Sequence, residues 1–224
     1  MKPAVTETLL AQPLTLPCGA VIPNRLAKSA MSEALGTLDN QPTSRLDRLY
    51  ARWADGGIGL CISGNVMVDR RALGEPGNVA IESEAQLPAL RAWAAAGTRG
   101  GTQLWMQINH PGKQAPKGLN AETVSPSAIP FRADMASFFD TPRELTHAEI
   151  EDIVRRFGNT ARIAKLAGAP KVPCAGIDLH VRIGDFVERG QPLFTLHAGS
   201  PGALAYAADW ADTQPRAVHV TEDA

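Results

Sequence analysis

SRLDRLYARWADGGIGLCIS, residues 44–63, is the stretch that decides the fold. Leu46, Leu49, Tyr50 and Trp53 recur at i, i+3, i+4 and i+7, which places them on one face of a helix. Ser44 is read as the N-cap. Gly56-Gly57 closes the helix, because glycine accepts the left-handed geometry of a helix end. Ile58 to Ser63 then runs as a short apolar segment, the pattern of a strand buried on both faces. A helix that passes through a glycine pair into such a strand is one unit of an α/β repeat.

The pattern continues on both sides. Upstream, residues 13–32 read as a small hairpin, with turns at Cys18-Gly19 and Pro23-Asn24, and then a strand from about Arg25 to Met31. Downstream, a helix begins at Ser83, carries Leu87, Leu90 and Trp93, and closes at Gly97, with Pro88 in its first turn. Gln103 to Ile108 is the third strand. The third helix opens on Thr146-His147-Ala148-Glu149, a capping box, and runs to about Ala167. Its apolar stripe is read as Ile150, Ile153, Val154, Phe157, Ala161 and Ala164, with outer pairs Glu151–Arg155 and Asp152–Arg156. Alternating strands and helices over residues 25–167 predict an α/β fold with parallel strands. The connection from His110 to Leu145 is long enough to suggest a functional loop.

At Gly168 the pattern changes. Ala175–Ile183, Phe186–Val187 and Pro192–His197 read as strands separated by turns at Gly184-Asp185 and Glu188–Gln191, a compact antiparallel β module. The expected domains are therefore 1–167 and 168–224.

Composition narrows the function. Lys and Arg number 22 against 23 Asp and Glu, a net charge of −1, which supplies no field for nucleic acid or an anionic membrane. No apolar run approaches the roughly 20 residues of a membrane span, and the N-terminus does not read as a signal peptide. Cys18, Cys61 and Cys174 fit neither a disulfide framework nor a zinc site. A cytoplasmic protein with reduced thiols, no metal and a small-molecule substrate is expected.

Five segments carry a resemblance: NRLAKSAM (24–31), GIGLCISGNVMVDRRALGEPGNV (57–79), QLWMQINHPGKQAP (103–116), SPSAIP (125–130) and RELTHAEIEDIVRRFGNTARIAKLAGA (143–169). In this order and spacing, residues 9–167 resemble the first part of the Old Yellow Enzyme family of FMN-dependent NADH:flavin oxidoreductases and ene-reductases. The resemblance implies a TIM-type (β/α) barrel, FMN as cofactor and NAD(P)H as reductant. It implies FMN contacts at Ser29, Ala30, Met31, Ser32, Asn65 and Gln107, the last at the pyrimidine edge of the ring. Read without the resemblance, Ser29 and Ala30 are plain small-residue packing and Met31 is core rather than a cofactor contact. Ser32 stands where many relatives carry Cys or Thr.

A second resemblance begins where the first ends. AKLAGAPK (164–171) and AGIDLHVRIGDFVERGQPLFTLHAGSPGALAYA (175–207) resemble the C-terminal domain of thymidine and AMP phosphorylases. That implies a barrel-sandwich, lipoyl-like module, with Gly184 and Gly190 in its turns. No Lys follows Lys171, so a lipoyl- or biotinyl-type carrier is not expected. His180 lacks the Gly-His-Gly-Tyr-like continuation of the first family's fourth strand. A complete barrel takes about 250 residues. A partial barrel of three β/α units is therefore expected, joined to the β module by recombination within ARIAKLAGA, with impaired activity and no assignable catalytic residue. The alternative is a non-catalytic chimera. Unpaired barrel edges suggest a homo-oligomer.

Overall fold

The computed structural model describes residues 8–16, 19–168, 175–179, 187–188, 191 and 194–198. The chain forms two compact units, Met1–Leu14 with Ile22–Lys171, and Thr15–Val21 with Val172–Ala224. Cys18, Cys174, His180, Gly184 and Gly190 lie outside the described residues, as do most of the Phe186–Val187 strand and its flanking turns.

A short two-stranded sheet, β1 (Leu14–Thr15) and β2 (Val21–Ile22), precedes the main sheet. The main sheet is parallel, with β3 (Ala27–Lys28), β4 (Leu60–Met67), β5 (Val79–Ala80) and β6 (Gln103–Asn109). β4 is central. β3 pairs with its start and β5 with its end, while β6 runs along the other edge. Helices α1 (Ser44–Asp55), α2 (Leu87–Gly97) and α3 (His147–Leu166) alternate with the strands. Between β6 and α3 the long connection holds a two-residue parallel pair, β7 (Val124–Ser125) with β8 (Arg143–Glu144). Among the described residues β6 pairs only with β4, so its other edge carries no strand. In the second unit β9 (Ala175–Leu179) and β10 (Phe194–Ala198) pair antiparallel.

α1 buries Leu46, Tyr50 and Ala54, with Leu49 and Trp53 half-covered beside them. Its N-cap is Thr43 rather than the expected Ser44; the Thr43 hydroxyl donates to the Leu35 carbonyl (2.8 Å), so it anchors the incoming loop instead of capping the helix. The helix ends through Gly57, whose φ of +79° is the left-handed geometry glycine tolerates. One side of the sheet packs Cys61, Val66 and Leu104 against Leu46, Tyr50, Leu90, Trp93, Ile163 and Ala167 of the three helices. Cys61 is a free, buried thiol, and burial raises its pKa to about 11, so it packs as a protonated side chain.

Three strand expectations change. The second strand spans Leu60–Met67 rather than ending at Ser63, so Gly64 and Asn65 lie within it. The first strand keeps only Ala27–Lys28 in the ladder, because the chain then leaves the sheet, in a segment whose Glu33 bonds to β4 and α1. β5 was not foreseen; its two residues are too few for a period to show in the sequence.

α3 carries the capping box as expected: the Thr146 hydroxyl accepts from the Glu149 N–H, and the Glu149 carboxylate accepts from the Thr146 N–H. The Asp152–Arg156 pair forms at 2.7 Å, and Arg156 also reaches Glu82 (3.4 Å) and Asp69 (3.5 Å). The expected Glu151–Arg155 pair does not form; Arg155 meets Asp152 and Glu151 meets His147. The expected stripe is buried or half-buried at Ile150, Ile153, Phe157, Ala161 and Ala164 but not at Val154, and it gains residues that were not expected. Val154 is 60% exposed, whereas Thr160, Ile163, Ala164 and Ala167 are buried. Thr160 belongs to this face because its hydroxyl donates to the Ile81 carbonyl (2.6 Å), which lets a polar residue occupy a core position. Ile163→Ala is expected to destabilise the protein by about 2–5 kcal/mol. Val154→Ala should stay within about 0.5 kcal/mol. Urea unfolding followed by tryptophan fluorescence compares them, and equal costs would contradict this packing.

Candidate functional site

β4 and β6 share an irregularity midway along their length, ahead of their C-terminal ends. β4 and β6 are in register from Leu60–Gln103 to Ile62–Trp105, and again from Asn65–Gln107 to Met67–Asn109. Between the two runs Ser63 and Gly64 stand opposite the single residue Met106, a β-bulge. Side chains alternate along a regular strand, so Ile62 and Asn65 would point to opposite faces. The extra residue brings Asn65 onto the face shared by Trp105 and Gln107, opposite the face on which Cys61 and Leu104 join the helical core.

A bulge leaves ladder groups without strand partners, and here two backbone N–H groups find side-chain acceptors. The Gln107 backbone N–H donates to the Ser63 hydroxyl (2.9 Å). The Gly64 N–H donates to the Glu33 carboxylate (2.9 Å) and also meets the Tyr50 hydroxyl (3.2 Å). The Tyr50 hydroxyl donates to the same Glu33 oxygen. Burial first, and then the Glu33 carboxylate, push the Tyr50 phenol far above its ordinary range, so it remains a donor. Gly64 is required sterically, because a Cβ there would collide with the Glu33 carboxylate and the Met31 carbonyl.

Four neutral side chains gather on the open face beyond the bulge. The Asn65 carbonyl oxygen accepts from the Gln107 side-chain amide and from the Asn109 side-chain amide (3.2 Å). The Asn65 amide donates to the Ser32 hydroxyl (3.5 Å). Of the sequence-predicted residues, this cluster joins Ser32, Asn65 and Gln107. Ser29 and Met31 are exposed and Ala30 is half-buried, so Met31 is not core and Ser29 is not packing filler. No hydrogen bond among the described residues ties the side chains of Ser29, Ala30 or Met31 to the cluster.

Asn109, at the end of the third strand, was among the amide-bearing groups the sequence placed beside the ring; sequence reasoning missed Glu33, Tyr50 and Ser63 as supports. Their only signal was polarity next to apolar strands, which does not reveal partners. His110 follows β6 and accepts the Gly112 N–H at Nδ1 (3.1 Å). Burial holds its pKa below the usual histidine value, so the ring is neutral at pH 7. Among the described residues no group of His, Cys, Asp and Glu could hold a metal ion, and no helix is long and apolar enough to cross a membrane. An edge of amide donors and acceptors beside small residues suits a flat, neutral, hydrogen-bonding ring.

Comparison with known proteins agrees with both resemblances. Residues 10–178 match the NADH:flavin oxidoreductase / NADH oxidase family, and residues 159–215 match the pyrimidine nucleoside phosphorylase C-terminal domain. The chain is 36% identical over 201 residues to an NADH-dependent flavin oxidoreductase of Hypocrea jecorina, covering 82% of this chain and 49% of that protein. A 64-residue stretch is 73% identical to a Polaromonas sp. protein named after thymidine phosphorylase, covering 29% of this chain and 12% of that protein. Among solved structures, the old yellow enzyme homologue of Zymomonas mobilis superposes with a TM-score of 0.62 at 27% identity, covering 71% of this chain and 46% of that one. The chain thus spans half or less of the length of the flavin oxidoreductases it matches, and the Zymomonas mobilis structure supports a partial α/β barrel.

The bulge gives a test by mutation. Gly64→Ala is expected to destabilise by about 1–3 kcal/mol, because the new methyl group collides with the Glu33 carboxylate. Glu33→Ala removes one of the two obstacles and leaves the Met31 carbonyl, so the double variant should cost less than the sum of the single variants while Gly64→Ala stays destabilising in the Glu33→Ala background. Strict additivity in denaturant melts would contradict the proposed contact.

Proposed function

The chain belongs to the NADH:flavin oxidoreductase / NADH oxidase family, and from that premise we propose that its first unit carries the strand 1–3 side of an FMN site of the ene-reductase class, with NAD(P)H as reductant. The observation that carries this reading is the cluster of Ser32, Asn65, Gln107 and Asn109 at the C-terminal ends of parallel strands, where barrel enzymes build their sites. In this reading Ser29, Ala30, Met31 and Ser32 border the ring, and Gln107 takes its pyrimidine edge. FMN, when bound, supplies hydride acceptance and donation, while the protein binds and orients it. The side chains of the cluster are neutral, so they fit the ring and not the phosphate. Beyond α3 the sequence continues as phosphorylase-like residues, where the family resemblance calls for the strands that complete the substrate and phosphate subsites. We therefore take turnover by residues 1–224 to be impaired.

A second reading has its own support in the 73% identity of the C-terminal stretch to the Polaromonas protein. In that reading the chain is a non-catalytic chimera whose second unit is a lipoyl-like β module, and the antiparallel β9–β10 pair accords with it.

Titration of the full chain should find FMN and riboflavin bound equally weakly, because the cluster offers nothing to a phosphate. NADH oxidation with added FMN should not exceed that of FMN alone. A stoichiometric yellow complex that survives gel filtration contradicts the impaired-site reading. So does FMN binding more than about tenfold tighter than riboflavin, a difference of about 1.4 kcal/mol. Binding of neither flavin favours the chimera.

A further inference from the structure

We propose that Asn65 is a positioning residue, placed by the β-bulge to fix which way the Gln107 and Asn109 amides face, and that it thereby sets selectivity for a ring edge that donates a hydrogen bond. A free glutamine amide can turn over and exchange its donor for its acceptor. In this structure that freedom is removed. One N–H of Gln107 is held by the Asn65 carbonyl oxygen, which also accepts from Asn109. Because the same oxygen accepts from both, both amides must turn their nitrogens toward it and their carbonyl oxygens away. Among the described residues the Gln107 side-chain oxygen has no donor, so it stands as an acceptor for a ligand N–H.

Asn65 presents different atoms to its two sides. Its own amide points to Ser32, so its carbonyl oxygen faces β6. Its place on this face depends on Ser63 and Gly64 counting as two residues against Met106. The Gln107 backbone is pinned by the Ser63 hydroxyl, so the bulge holds both the hub and the residue it orients. The ligand chemistry selected is an imide-like N–H flanked by carbonyls. This rests on the flavin reading for the ligand's identity, whereas the amide geometry stands without it.

The test uses the full chain with Asn65→Leu, which removes the acceptor, and Asn65→Asp, which keeps it. In the ligand-free protein, NMR of the Gln107 side-chain amide should show slowed hydrogen exchange in the wild type and in Asn65→Asp, and fast exchange in Asn65→Leu. Lumiflavin and 3-methyllumiflavin, which lacks the ring N–H, then report selectivity. The wild type should favour lumiflavin by about tenfold, the scale of one hydrogen bond. Asn65→Leu should bring that ratio close to one, and Asn65→Asp should preserve it. Unchanged Gln107 exchange in a folded Asn65→Leu protein overturns the positioning role. The expected exchange pattern with no binding of either lumiflavin overturns the selectivity claim and the flavin reading, and leaves the positioning role supported.

Discussion

The extra residue in β4 is the constraint on which the rest of the first unit depends. A regular β4 would turn Asn65 into the helical core, where its amide would need partners among Leu46, Leu90 and Trp93. With Ser63 and Gly64 set against Met106, the core side receives Val66 and the open side receives Asn65. The ladder groups displaced by the bulge are taken up by Glu33, Tyr50 and the Ser63 hydroxyl. Those bonds join four elements at one point: the segment after β3, helix α1, and strands β4 and β6. A β-bulge beside a functional site re-aims a side chain, and here the re-aimed side chain is the hub of the polar cluster.

Much of this fold was legible because its signals are local. The capping box of α3 needs only Thr146 and Glu149, three residues apart, and it forms as read. The apolar face of α1 follows from the spacing of Leu46 and Tyr50. The bulge was not legible, because the apolar run stops at Ser63 and Gly64 reads as the end of the strand rather than as an extra residue inside it. Whether Asn65 faces in or out depends on register with a strand some 40 residues away, which no local pattern encodes. Thr160 was left out of the apolar stripe because composition cannot anticipate that its hydroxyl finds the Ile81 carbonyl. Gln107 was named through family resemblance, but its partners came only from the structure.

The overlap between the two resemblances begins within α3 and runs past its end. Residues 159–178 lie in both family matches. The part of α3 in this overlap includes Thr160, Ile163 and Ala164, the buried positions of that helix, and buried Ala167 follows as its C-cap. A segment shared by two families can serve as a junction if it satisfies the packing of the unit it closes, and these positions do so. The edge of β6 then carries no strand among the described residues, an arrangement in which the polar cluster sits at the open side of a parallel sheet.

The most direct test of this account is the β4–β6 register in the full chain, read from cross-strand NOEs in isotopically labelled protein. The account predicts contacts of Asn65 with Gln107 and of Ile62 with Trp105, a Gly64 N–H near the Glu33 and Tyr50 side chains, and no regular partner for Ser63. An unbroken ladder, with Gly64 opposite Gln107 and Asn65 among the helical core residues, would contradict it.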